Sequence, residues 1–157
     1  MRRFSDLSED ERREVRSRVF KLYDSADAEI RSHGPVCVAS GKCCRFAEYG
    51  HTLFLSHLEA DVLLSAAPAY ETPTDKSFCP FQVNKLCTAR EHRPLGCRVY
   101  YCDPNYAGKA EPITENYLDQ LKKLSQEFDL GWSYAPLHRF LDEQSAGLVC
   151  SPHAPSL

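Results

Sequence analysis

The chain has 157 residues, 43% of them hydrophobic and 26% charged, with a formal net charge of −3. That is the length of one ordinary domain with enough apolar residue to bury a core. Nothing in the charge balance points to a nucleic-acid backbone or an anionic membrane surface as a partner. The departure from average is a set of eight cysteines, whose meaning depends on the redox compartment.

Met1-Arg2-Arg3 opens the chain, but no apolar h-region follows, so the first residues do not read as a secretory signal. No apolar run is long enough to span a bilayer. These features predict a cytoplasmic protein with no membrane partner. In that compartment thiols stay reduced, and a cysteine cluster is more often a metal or redox site than a disulfide frame.

A polar amphipathic helix is expected over 9–32. Ser8 and Glu11 fit a capping box. Val15, Val19, Leu22, Ala26 and Ile30 recur at three- and four-residue spacing and make one apolar stripe. Gly34-Pro35 stops the helix. Its other face mixes Arg12, Arg13, Arg16, Arg18 and Lys21 with Glu9, Asp10, Glu11 and Glu14, the pattern of a solvated face rather than a basic binding surface.

The zone 35–107 holds seven of the eight cysteines. His51-Thr52-Leu53-Phe54-Leu55 is a candidate short strand. Ser56 and Glu59 form a second capping box, predicting a helix through about Ala67, and Pro68 and Pro73 bracket a loop. Cys79 to Cys87 reads as a small hairpin turning at Asn84-Lys85. The third zone, 112–141, is predicted helical. Thr114 caps a helix over 115–129 with Tyr117, Leu118, Leu121, Leu124 and Phe128 on its apolar face, and Gly131 ends it. Trp132, Tyr134, Leu137, Phe140 and Leu141 form a last packed segment. Residues 142–157 read as a mobile tail. There is no internal repeat. The expected architecture is a single domain over 1–141, mainly α with small irregular β content, its helices set around a cysteine-pinned metal-binding centre.

The thiols fall as Cys37-x5-Cys43-Cys44, Cys79-x7-Cys87 and Cys97-x4-Cys102, with Cys150 alone in the tail. Thiolates are soft ligands that suit zinc and iron–sulfur clusters, not magnesium or calcium. A lone cysteine reads as a small buried hydrophobe, and Cys150 is given no other role. Seven within 37–102 do not fit that reading, because the long predicted helices contain none. Four thiolates around Zn²⁺ or a 4Fe–4S core leave a formal charge of about −2. Lys42, Arg45, Lys85 and Arg98 flank the thiols and would offset it. Adjacent side chains such as Cys43 and Cys44 point apart, so one tetrahedral site rarely takes both. The spacing matches neither a zinc finger nor the common ferredoxin runs.

These residues carry a resemblance. Cys37…Cys43-Cys44-Arg45, then Cys79-Pro80-Phe81, Cys87, and Arg93-Pro94-x-x-Cys97-Arg98-x-Tyr100 resemble the YkgJ-type cysteine-cluster proteins, a zinc- or iron-chelating family with a CxxCxxCC signature. The resemblance covers about 35–103. Ser40 stands where that family has its second cysteine, and Cys102 is the candidate to supply the missing sulfur. The resemblance implies metal binding and not a particular reaction.

Pro80 and Pro94 fix backbone angles near ligand loops, and Gly96 allows a tight turn before Cys97. Arg45, Arg93 and Arg98 are candidate partners around the cluster, donating to sulfurs or to backbone carbonyls. His92 and His51 are the candidate nitrogen ligands, against the competing reading of ordinary hydrogen-bonded or solvated histidines. No His-Glu-x-x-His, phosphate loop or nucleophile elbow is present. The metal ligands are therefore expected among Cys37, Cys43, Cys44, Cys79, Cys87, Cys97 and Cys102, with Cys37, Cys44, Cys87 and Cys97 first. The expected cofactor is an iron–sulfur cluster of the 4Fe–4S type, in redox or substrate-supporting chemistry. One alternative is a structural zinc module acting through a partner surface. The other is a thiol redox protein or metal carrier, which the lack of any Cys-x-x-Cys disfavours. The sequence names no catalytic residue, and it names neither a protein partner nor a small-molecule one.

Overall fold

The computed structural model describes residues 1–35, 52–67, 70, 79–84, 86–101 and 103–145. The protein is mainly helical with small β content. Its long elements are helix α1 (Glu9–Ser32), strand β1 (Phe54–Ser56), helix α2 (His57–Ala66), strands β2 (Gln82–Val83) and β3 (Leu86–Cys87), the short helix α3 (Leu95–Val99), helix α4 (Ala110–Glu127), strand β4 (Tyr134–Pro136) and helix α5 (Leu137–Ser145).

Local chemistry explains the ends of α1. The Glu11 N–H donates to Ser8 Oγ at 3.1 Å, and the Ser8 N–H donates to the Glu11 carboxylate at 2.7 Å. The reciprocal bonds satisfy two of the donors that a helix start leaves open. Glu9, Asp10 and Glu11 in the first turn and Arg31 in the last suit the helix dipole. After the helix the chain reverses at Gly34, whose φ of +64° favours glycine. The inward stripe is Val15, Val19, Tyr23, Ala26 and Ile30. Tyr23 takes the innermost place where periodicity had put Leu22, which packs half-buried at the edge of the same core.

The capping box predicted for α2 also forms. Eight of the ten residues of α2 are buried, as expected of a helix enclosed on all sides. The strand ahead of it begins at Phe54. It pairs antiparallel with β4 in the register Phe54↔Pro136, Leu55↔Ala135, Ser56↔Tyr134. The hairpin turn has Asn84 in the left-handed region at φ +51°, and β2 pairs with β3. Asn tolerates that conformation better than most side chains.

Helix α4 departs from expectation at both ends. It starts at Ala110, so Thr114 lies inside it and its hydroxyl donates to the Ala110 carbonyl at 2.8 Å instead of capping. Pro112 falls in the first turn, where its missing N–H costs nothing. The helix stops at Glu127, and the reversal is made by Asp129 at φ +55°, ahead of Gly131. Helix α5 continues through Ser145, past Asp142 where the tail was placed. Residues 146–157 lie outside the described residues.

Two apolar cores result. The first joins α1, α4 and the chain start: Phe4, Val15, Val19, Tyr23, Ile113, Leu121 and Leu124. The second lies under the β1–β4 pair and includes Leu53, Leu55, Phe81, Leu137, Phe140 and Leu141. Helix α2 serves both, with Leu58 and Val62 in the first core and Ala60, Leu63 and Leu64 in the second. Among the described residues no helix is long and apolar enough to cross a membrane.

The chain start is tied down by a bidentate pair. Two Arg2 guanidinium nitrogens donate to the two Glu11 carboxylate oxygens at 2.9 and 2.7 Å. This pair, with the Ser8 N–H, holds the Glu11 carboxyl at about 2 against an ordinary 4.5. A carboxyl depressed in the folded state adds stability above its unfolded pKa and loses it as pH falls through the folded value. Thermal melts of the native chain and Glu11→Gln should therefore differ most above pH 4.5 and converge as the pH falls toward about 2. A gap independent of pH in that window would show that the ionised pair is not its source.

Candidate metal centre

Three of the predicted ligand residues are described, and each is set by its own backbone bonds. Cys79 lies ahead of β2, and its carbonyl accepts from the Gln82 N–H at 3.2 Å. Cys87 ends β3 opposite Gln82. Beyond it the Thr88 N–H and Oγ1 both donate to the Phe81 carbonyl, at 2.8 and 2.6 Å, closing the hairpin. Cys97 lies in α3, and its N–H donates to the Pro94 carbonyl at 3.0 Å. All three belong to the second core: Cys79 and Cys97 are buried in it and Cys87 is half-buried against it. They are thiols, not joined in disulfides.

Helix α3 carries the third thiol and depends on long-range contacts. At its start the Leu95 N–H donates to the Glu59 carboxylate at 2.8 Å. Next to it, Gly96 packs so closely on β1 that a Cβ would sit 2.9 Å from Leu53 Cδ1 and 3.1 Å from the Phe54 carbonyl oxygen. The glycine is thus required by close approach and not by a turn, as the sequence had suggested. Arg98, buried at 7% exposure, donates to the Arg93 carbonyl at 2.7 Å, the Glu91 carbonyl at 2.8 Å and the Asp27 carboxylate at 2.8 Å. Its guanidinium also lies 4.2 Å from the Tyr23 ring centroid. Of the two roles the sequence left open, backbone carbonyls and an acid on α1 take its donors.

Arg93 donates from Nε to the Arg90 carbonyl at 3.0 Å. His92 ends a 3-10 turn, Arg90–His92, and its ring meets Phe20 of α1 edge-on at 5.5 Å. Cys37, Cys43, Cys44 and Cys102, together with Arg45 and His51, lie outside the described residues. Among the described residues, no three His, Cys, Asp or Glu side chains form a group that would hold a metal ion. The donor chemistry of the three described thiols nevertheless fits a soft metal. Sulfurs from three separate segments share one apolar core, where sulfur ligands are favoured over oxygen.

Sequence reasoning missed the carboxylate beneath this assembly. Glu59 is 1% exposed. It accepts from the Ser56 N–H at 2.9 Å, the Ser56 hydroxyl at 2.8 Å, the Leu95 N–H at 2.8 Å and the Tyr23 hydroxyl at 3.3 Å. Burial raises its pKa, and the donors from Ser56, Leu95 and Tyr23 oppose the rise. Burial, and then the Glu59 charge, raise the Tyr23 hydroxyl well above its ordinary value. The sequence showed Glu59 only as half of a capping box. The available clue was Tyr23 and Asp27 one turn apart on α1, matched by the buried-type arginine beside Cys97. At α2 a second pair, His57 with Asp61 at 3.0 Å, holds the imidazole above its ordinary pKa.

Comparison with family models, with curated proteins and with solved structures gives no match.

Glu59→Gln replaces one acceptor oxygen with an NH₂ group that cannot accept. Two of the buried donors then lose their partner, which should cost about 2–4 kcal/mol in urea unfolding. A loss below about 0.5 kcal/mol would show that the carboxylate is not the tie between α2 and α3.

Proposed function

We propose that this protein holds a metal centre, an iron–sulfur cluster of the 4Fe–4S type, with cysteine thiolates between Cys37 and Cys102. The observation that carries the reading is that Cys79, Cys87 and Cys97 all belong to or pack against one core. These residues come from the segment ahead of β2, from β3 and from a helix fastened by Glu59. Cys37, Cys43, Cys44 and Cys102 would complete the ligand set. The resemblance to the YkgJ-type proteins supports the same reading. Such a cluster supplies one-electron redox chemistry or a Lewis-acidic iron when bound.

This chain's own residues set the environment. Cys79 and Cys97 are buried in a core with apolar residues such as Leu53, Phe81, Leu137 and Phe140, and the exclusion of water tunes both stability and potential. The arginine nearest Cys97 in sequence is spent on Asp27 and on carbonyls. Charge compensation would fall to other donors.

Protein purified without oxygen should be brown, with broad absorbance near ~400 nm and with iron and acid-labile sulfide in proportion. Cys97→Ser should lower the bound iron and bleach the band while the far-ultraviolet helix signal remains. Colourless protein with stoichiometric zinc would replace the cluster with a closed four-coordinate zinc site. Protein that binds neither metal would refute the metal reading.

A further inference from the structure

A cleft of about 410 Å³ opens between α1, the end of α2 and the turn Arg90–His92. That volume is in the range of small-ligand sites. One wall is apolar: Phe20 from α1, Val62 and Ala66 from α2, and Ala67 just beyond its end. The polar groups facing it include Arg16 and His92.

Arg16 differs from its neighbours on α1. Arg13 lies within 3.7 Å of Glu9 and 3.4 Å of Asp10, and Arg18 pairs with Glu127 across to α4. Arg16 has no carboxylate among the described residues, and its Nε is buried without a hydrogen-bond partner. The guanidinium is held over the Phe4 ring at 5.6 Å from the centroid, so it is positioned from behind. Burial, and then the positive charge of Arg12, disfavour its charged form. A half-buried cation left in this state, bordering an apolar cleft, is an unfilled half of an ion pair. His92 lines the same cleft, with its ring edge-on against Phe20.

We propose that this cleft binds a small organic carboxylate. Its anionic end meets Arg16 beside His92, and its apolar body lies along Phe20 and Val62. The planar guanidinium matches a carboxylate in two-pronged contact. One such cation supplies the charge for a monoanion. The apolar wall gives no purchase to inorganic phosphate, which has no hydrocarbon to bury. None of the described thiols lines the cleft: its wall residue Val62 belongs to the first core, and Ala67 packs against the edge of the second.

Phenylacetate tests this with the full native chain. Titration followed by the His92 imidazole resonances and by calorimetry should show saturable binding at one site. Phenylacetamide has the same shape without the charge. It and inorganic phosphate should each bind at least about tenfold more weakly. Arg16→Gln should lose about tenfold or more in affinity for phenylacetate, and Arg13→Gln, whose side chain lies outside the cleft, should lose none. The acid-against-amide comparison uses the unaltered chain, so it decides the matter even if Arg16→Gln does not fold. Equal binding of acid and amide, equal binding of phosphate, or no saturable binding of phenylacetate would each overturn the assignment.

Discussion

A single buried carboxylate joins the parts of this protein. Glu59 begins as the third helical residue of α2, where any carboxylate could close the local capping box with Ser56. It is also fully enclosed, so its charge needs more donors than its own turn provides. The Leu95 N–H and the Tyr23 hydroxyl supply them. Ionising one group in the interior thereby requires the start of α3 and the middle of α1 to arrive at the same place. An apolar residue there would leave three helices free to slide on greasy surfaces. The carboxylate sets their register, because hydrogen bonds weaken steeply with distance and angle.

The same junction accounts for how two cores behave as one body. Helix α2 gives Leu58 and Val62 to the α1–α4 side and Ala60, Leu63 and Leu64 to the β1–β4 side. Helix α3 repeats the division on a smaller scale, with Leu95 and Val99 facing the first core and Cys97 the second. Arg98 continues the tie to α1 through Asp27 and the Tyr23 face. The placement of the Cys97 thiol is thus set by the contacts that its neighbours Leu95, Gly96 and Arg98 make. On the proposed reading, a ligand-bearing helix held in this way would be pre-organised by the protein, which would lower the ordering cost of closing a metal site around it.

The parts readable in the sequence are those whose causes are local. Ser8 with Glu11, the stripe from Val15 to Ile30 and the stop at Gly34 are sufficient for α1. Ser56 with Glu59 is sufficient for the start of α2, and a turn at Asn84 for the hairpin. The parts not readable have causes elsewhere in the chain. Leu95-Gly96-Cys97-Arg98-Val99 includes a glycine and a β-branched residue and has no side-chain cap, so propensity argues against a helix. Glu59, Leu53 and Asp27 make it one. Strand β4 exists because residues near 135 meet residues near 55, a pairing no window of sequence contains. Pro112 reads as a boundary, yet the first helical turn tolerates it. The thiols were conspicuous by number and type. The apolar company that Cys79, Cys87 and Cys97 keep was not, because it is assembled from elements far apart in the chain, among them β1, α2, β4 and α5.

That company bears on what the thiols can be. A sulfur among Leu, Phe and Ala side chains has two stable uses: as a neutral thiol it is one more small hydrophobe, and as a thiolate it needs a cation against it. Glu59 already places one carboxylate behind α3, and the arginine adjacent to Cys97 is committed to Asp27. Neutral thiols would explain one or two such residues, each replaceable by Ala or Val at small cost. They do not explain seven cysteines confined to 37–102 while the long helices, which bury far more apolar surface, contain none. On the proposed reading the metal itself supplies the cation that such thiolates need.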